Sequence, residues 1–123
     1  MSDVMRDFPG LEPIRQRFRA TLADRQSDVA HHALEAWNAS QEGGTPKAVA
    51  RHLKEVRNRL HTIAGSAGSL GYGELGEAAF HGEAEIISYL EREDAATSAA
   101  VPADVIYAIN TFIERCGAAI DGD

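Results

Sequence analysis

The sequence predicts an all-α protein, an antiparallel up-down-up-down four-helix bundle with a short N-terminal capping segment. Four stretches carry apolar residues at alternating spacings of three and four, which is the period of an amphipathic helix. Short runs rich in Gly, Pro, small or acidic residues separate them. No stretch alternates apolar and polar residues as a half-buried strand does. Four such helices with short connections favour a bundle.

Composition indicates one ordinary globular domain. The chain has 123 residues, of which 44% are hydrophobic and 25% are charged, so residues 1–123 are expected to form a single domain. No secretory leader or membrane-length apolar run is evident, and we expect a cytoplasmic protein that does not enter a membrane. The single cysteine, Cys116, excludes an internal disulfide and a cysteine-based zinc site.

The charge is divided unevenly along the chain. The net charge of −7 argues against nucleic acid as a partner. Residues 1–60 hold 10 Lys and Arg against 8 Asp and Glu, whereas residues 61–123 hold 2 against 11. The basic excess lies just before His61 in the sequence.

The first long helix follows a capping segment over residues 2–10, which ends at the helix-breaking pair Pro9-Gly10. The helix is predicted from near Glu12 to about Trp37. Arg25 interrupts its apolar face, so either the side chain reaches out to solvent or the helix bends there. The apolar face consists of Leu11, Ile14, Phe18, Leu22, Val29, Ala33 and Ala36.

The second helix is predicted over about residues 46–70. Thr45 is suited to the N-cap and Pro46 to the first helical position. Gly71 is suited to a left-handed C-terminal cap. The spacing of the apolar residues predicts a packed seam, formed by Val49, Leu53, Val56, Leu60, Ile63, Ala67 and Leu70.

Two further helices complete the predicted bundle. The third runs from about Glu74 to Arg92, with Gly82 on its apolar stripe, where we expect close helix packing. An acidic, small-residue loop follows, and Pro102 opens the fourth helix. The apolar stripe of that helix is Val105, Ile109, Phe112, Cys116 and Ala119.

His61 lies on the second helix, away from the seam. At about 100° per residue it falls roughly 120° from the centre of the apolar stripe, so the imidazole should be exposed. Residues three, four and seven positions away are its neighbours on the helix surface. Those neighbours are the cations Lys54 and Arg57 before it and the small residues Ala64, Gly65 and Gly68 after it.

These surroundings suit a histidine that a large partner can reach and that lies near groups able to bind an anion. Each glycine costs about 1 kcal/mol relative to alanine inside a helix, which suggests that close approach is needed there. Nearby cations disfavour the imidazolium form and attract an anion. No general base, oxyanion hole or substrate pocket is evident, so we expect a phosphocarrier and not an enzyme.

The stretch His61-Thr-Ile-Ala-Gly65-Ser-Ala-Gly68-Ser-Leu-Gly71 closely resembles the signature of histidine-containing phosphotransfer (HPt) domains. In that family the histidine lies on the second long helix of a four-helix bundle. An apolar residue, a glycine, two small residues and a later apolar-glycine pair follow it. Many members carry lysine three residues after the histidine, where this chain has Ala64, so Lys54 and Arg57 become the candidate phosphate-contacting cations.

The resemblance implies a phosphorelay intermediate in two-component signal transduction. His61 would accept a phosphoryl group from an aspartyl phosphate on a receiver domain and pass it to another receiver. Gly65 would permit close docking. The protein would need no cofactor of its own, because the receiver supplies magnesium. Response-regulator receivers and a hybrid sensor histidine kinase are the implied partners, and a monomer is the implied state.

Two other classes of function use a helical bundle, namely metal- or haem-binding proteins and docking modules. A di-iron bundle needs paired Glu-x-x-His motifs and a c-type haem needs Cys-x-x-Cys-His; both are absent from the sequence. His31 and His32 are adjacent and point in different directions, whereas His52 and His81 have no evident partners, so no metal site is predicted. A phosphate-independent helical docking module stays as the alternative, although it leaves the exposed histidine and its glycines unexplained.

Overall fold

A computed structural model describes residues 10–92 and 98–122. Within these residues it contains four α-helices, one short 3-10 turn and no strand, which confirms the all-α helical bundle. Apart from Gly10, the predicted N-terminal capping segment lies outside the described residues. The elements are α1 (Leu11–Gln41), α2 (Pro46–Ala67), the 3-10 turn (Gly68–Leu70), α3 (Gly73–Leu90) and α4 (Ala103–Asp121).

Both ends of α2 have the predicted caps. The Thr45 hydroxyl accepts a hydrogen bond from the Ala48 backbone N–H at 3.1 Å, and Pro46 is the first helical residue. At the other end Gly71 has a φ of 91°, the left-handed conformation that glycine adopts without strain. The α-helix stops at Ala67, earlier than predicted, because the last residues before this cap tighten into the 3-10 turn.

The core is formed by the seam of α2 and by one stripe from each of the other helices. All of the predicted seam residues of α2 are fully buried except Leu70, which lies in the 3-10 turn and is half-buried. Burial of each large aliphatic side chain stabilises the fold by about 1.5–3 kcal/mol relative to exposure. The largest buried side chains are Phe112, Leu22, Leu53, Leu60, Ile63, Ile86 and Ile109.

The predicted core face of α1 is wrong at its first turn. Ile14 is 40% exposed, and the neighbouring Arg15 is 6% exposed in its place. The Arg15 guanidinium lies 5.1 Å from the centre of the Tyr72 ring, which itself stacks on Phe18. A cation over an aromatic face is attracted by the ring's negative face, so the arginine can be buried there.

Contacts between neighbouring helices show how they are oriented. Between α1 and α2, Asp28 contacts Arg59 and His32 contacts His52, so residue numbers rise along one helix as they fall along the other. The α2–α3 pair shows the same reciprocal order, because Gly82 lies against Leu60 whereas the earlier Gly76 lies against the later Ala67. These pairs are therefore antiparallel, while the complete up-down order of four helices stays a prediction. None of the described helices combines the length and the apolar character needed to cross a bilayer.

His32 and His52 form a contact that their sequence positions did not suggest. Their Nδ1 atoms are 3.0 Å apart, so one Nδ1–H donates a hydrogen bond and the other Nδ1 accepts it. Burial lowers the pKa of His32, and the positive charge of Arg59 and the neighbouring imidazoles lower it further. The contact is a hydrogen bond that joins α1 to α2. Within the described residues no group of three or more side chains that could hold a metal ion forms.

We expect this pair to make the stability of the bundle depend on pH. The pKa of His32 is lower in the folded chain than its ordinary value of 6.5. Neutral His32 therefore contributes its full stability above about pH 6.5, and this stability is lost as the pH falls through the folded pKa. Urea unfolding at pH 7.5 and pH 5.0 should show a lower free energy of unfolding at pH 5.0. His32→Asn should weaken this dependence, whereas His31→Asn, a change at the exposed neighbour, should retain it; equal behaviour of the two variants would contradict the assignment.

Candidate functional site

His61 projects from the outer surface of α2. It directly follows the fully buried Leu60, so the register that buries the seam turns the next residue outward. The His61 side chain is 76% exposed, in agreement with the helical wheel. A partner protein can therefore reach the ring without any rearrangement of the bundle.

Glu83 on α3 holds one nitrogen of the His61 ring. The His61 Nδ1 and Glu83 Oε2 atoms are 2.7 Å apart, and the Glu83 side chain is only 15% exposed. An ionised carboxylate can only accept hydrogen bonds, so Nδ1 carries the hydrogen in this contact. In a neutral ring the lone pair then resides on Nε2. The contact thus orients the imidazole and leaves Nε2 as the nitrogen with the available lone pair.

Gly82 explains how α3 comes close enough to place Glu83. It is buried against α2, and a Cβ added there would lie 2.8 Å from the Leu60 Cδ1 atom, nearer than real Cβ contacts. The predicted packing role of Gly82 is therefore confirmed. Because Leu60 precedes His61 and Gly82 precedes Glu83, this close approach of the two helices lies directly beside the histidine–carboxylate contact.

Gly65 and Gly68 are exposed and open outward. A Cβ added at either position would meet no atom within 4 Å, so neither glycine is needed for packing inside the bundle. Both are one or two turns beyond His61, on the same flank of α2. They leave the helix surface next to the ring without side chains. A side chain there would lie between the histidine and a docking partner.

The predicted cations differ in their surroundings. Lys54 is exposed and Arg57 is half-exposed, and with the described residues neither forms a side-chain hydrogen bond or ion pair. Arg59, in contrast, contacts Glu55 at 2.8 Å and Asp28 at 3.5 Å. The hydrogen bond to Glu55 raises the pKa of Arg59 further. Lys54 and Arg57 are thus available to an incoming anion, whereas Arg59 is engaged in joining α1 to α2.

Ala64 occupies the position where the resemblance leads one to expect lysine. Its methyl group is partly buried and packs against the core cluster. It therefore supplies no polar contact to an anion at His61. Arg57 and Lys54 lie on the preceding turns of α2, and their contact with a phosphoryl group stays a prediction.

Glu83 is the functional residue that the sequence reasoning missed. It lies 22 positions from His61, so no spacing rule within one helix connects the two residues. The one available signal was its neighbour Gly82: a glycine on the buried stripe of α3 marks the place where that helix approaches another closely. The residue next to such a glycine, on the side of α3 that faces α2, is then a candidate for a contact with α2.

Comparison with known families agrees with this geometry. The family described as Hpt domain matches residues 13–119 of the chain, which include all four helices almost completely. Hpt domains act in phosphotransfer of two-component signalling and are helical bundles. Neither the curated proteins nor the solved structures yielded a match to the chain. The chain belongs to the Hpt domain family.

Proposed function

We propose that the protein is a phosphorelay intermediate that carries a phosphoryl group on His61 between receiver domains. The observation that supports this most strongly is the exposed His61 side chain, whose Nδ1–H is held by Glu83, so that Nε2 is left as the available ring nitrogen. The open glycine surface beside it allows a protein donor to reach that nitrogen. The protein acts as a phosphocarrier, since its own residues position the nucleophile and the receiver supplies the rest of the reaction centre.

The transfer step follows from this arrangement. The Nε2 lone pair attacks phosphorus in line as the P–O bond to the receiver's aspartate breaks, and the electrons of that bond leave with the carboxylate. The imidazole ring gains positive charge, which the Glu83 carboxylate stabilises through the Nδ1–H contact. Onward transfer is the reverse reaction, with the aspartate of a second receiver as the nucleophile.

We propose that the phosphoryl oxygens are bound by the cations of α2 that precede His61 and are not engaged in other ion pairs with the described residues. Arg57 lies one helical turn before His61, and Lys54 lies nearly two turns before it. A charge-assisted hydrogen bond from either would stabilise the phosphoryl group without competing for Nε2. Magnesium would be supplied by the receiver, and the chain needs no cofactor of its own.

The partners that fit this role are response-regulator receivers and a hybrid sensor histidine kinase. The carrier would act as a monomer, because one exposed histidine on one bundle is sufficient for the step. It would meet these partners in the cytoplasm. The direction of net phosphoryl flow depends on those partners.

The direct test is transfer from a purified receiver domain that has been phosphorylated with radiolabelled donor. The wild-type chain should acquire the label, and the label should be stable in base and labile in acid, as expected of phosphohistidine. Peptide mapping should locate it on His61. A wild-type chain that binds receivers but never acquires label would contradict the proposal and favour the phosphate-independent docking module.

Glu83→Ala should slow the transfer about ten- to hundredfold, because the ring loses the partner that fixes its tautomer and orientation. The measurement is the single-turnover rate from a phosphorylated receiver, together with the ¹⁵N chemical shifts of the His61 ring, which report the tautomer. Glu77→Ala removes an exposed carboxylate from the same helix and is the matched control. Unchanged rate and unchanged shifts in Glu83→Ala would contradict the positioning role.

A further inference from the structure

A pair of histidines joins α1 to α2 at a place that the transfer step does not use. The Nδ1 atoms of His32 and His52 are 3.0 Å apart, although the two residues are 20 positions apart in the sequence. Along α2 the pair lies between two and three helical turns before His61. Any function of this pair is therefore separate from the phosphoryl transfer.

The spacing of the two nitrogens is that of neighbouring ligands on one metal ion. Imidazole nitrogens bind zinc at about 2.0–2.1 Å. Two such bonds at an angle of about 90–110° place the nitrogens about 2.8–3.4 Å apart. The observed distance of 3.0 Å falls in this range. One ion can therefore bind both Nδ1 atoms with little movement of either side chain.

The packed helices hold both rings in place. On α1, His32 lies one turn from Val29 and Ala36, which are fully buried. On α2, His52 directly precedes the fully buried Leu53. Ligands on packed helices have little freedom to move, so they are oriented before an ion arrives. Both histidines are themselves half-buried, which leaves the pair partly accessible from solvent.

The charged groups next to the pair favour a cation. Glu55 lies one turn after His52, and Asp28 lies one turn before His32. Arg59 contacts these carboxylates at 2.8 Å and 3.5 Å. Two carboxylates against one guanidinium leave a negative charge beside the imidazoles, and this charge attracts a metal dication.

The donor atoms select the class of ion. Imidazole nitrogens suit zinc, copper and nickel, whereas magnesium and calcium prefer oxygen ligands. Among the described residues no third ligand completes a metal-binding group, so water molecules would fill the remaining coordination positions. The ion that fits is therefore a late first-row divalent metal held by two protein ligands.

We propose that His32 and His52 form a binding site for Zn²⁺, Ni²⁺ or Cu²⁺ that joins α1 to α2. The ion replaces the hydrogen between the two Nδ1 atoms. The ring that loses this hydrogen takes one up on Nε2, so both rings stay neutral and both Nδ1 lone pairs bind the metal. Because the two ligands come together only in the folded chain, the bound ion stabilises the bundle. The inference does not rest on the proposed function.

The test is calorimetric titration of the untagged chain with Zn²⁺, Ni²⁺ and Cu²⁺ at pH 7.5, with Mg²⁺ as the control ion. His32→Asn and His52→Asn each remove one ligand. His31→Asn and His81→Ala are the matched controls, since each removes an exposed histidine outside the pair. The ¹⁵N chemical shifts of the wild-type imidazoles with Zn²⁺ identify the bound nitrogens without any substitution.

We expect one tightly bound ion per wild-type chain and no binding of Mg²⁺. The affinity should fall about tenfold or more in His32→Asn and His52→Asn, because half of the protein ligands are lost. The two controls should stay within about twofold of wild type. Zn²⁺ should raise the urea midpoint of the wild type and leave that of His32→Asn unchanged.

Three results would overturn the inference. The first is that none of the three transition metal ions binds the wild-type chain. The second is that binding persists in both ligand variants or is lost in His61→Ala instead. The third is that the ¹⁵N shifts place Zn²⁺ on other nitrogens than the two Nδ1 atoms of the pair.

Discussion

His61→Ala should abolish acquisition of the label from a phosphorylated receiver. Nε2 of His61 is the nucleophile that we assign to this site, and alanine removes it entirely. The rate should fall below detection, because no neighbouring side chain can substitute for the imidazole.

His81→Ala is the matched control for this change. His81 is also exposed, but it lies on α3 and has no part in the contact between His61 and Glu83. This variant should be labelled at the wild-type rate, and both variants should unfold at the same urea concentration as the wild type. Persistent label on His61→Ala would show that another residue is the acceptor.

Gly65→Leu should reduce transfer from a receiver by about a hundredfold or more while leaving the fold intact. A Cβ at this position meets nothing within 4 Å, so the leucine extends into the space that the docked receiver needs. A misplacement of about 1 Å at the reacting atoms can cost about a hundredfold in rate. The bundle itself should become slightly more stable, since leucine is favoured over glycine in a helix by about 1 kcal/mol.

Three comparisons separate a docking defect from other causes. Gly65→Ala adds only a methyl group and should have a much smaller effect on transfer. Labelling of Gly65→Leu by phosphoramidate should be close to wild type, because that donor is small. Urea unfolding should show no loss of stability. If Gly65→Leu accepts the phosphoryl group from receivers at the wild-type rate, the open surface is not where the receiver docks.

The helices and the exposed histidine could be predicted because they depend on local spacing. The seam of α2 repeats every three or four residues, and that period fixes both the buried residues and the outward direction of His61. The caps at Thr45 and Gly71 are equally local, since each depends on the backbone of one turn.

Contacts between helices could not be predicted in the same way. Glu83 meets His61 and His32 meets His52 only after the helices pack, and the residues of each pair are about 20 positions apart. The burial of Arg15 likewise depends on Tyr72, which comes from the connection between α2 and α3. A prediction from hydrophobic periodicity places arginine at the surface, because it does not take into account an aromatic ring that is distant in the sequence.

The single open face around His61 also has a kinetic consequence for the proposed relay. Donor and acceptor receivers would need the same ring nitrogen and the same glycine surface, so the two cannot be bound together. The carrier would then follow a ping-pong scheme, in which the spent donor must dissociate before the acceptor binds. Unphosphorylated donor becomes a competitive inhibitor of the onward step. The flux through the relay would therefore depend on how quickly receivers leave this face as well as on how quickly they react there.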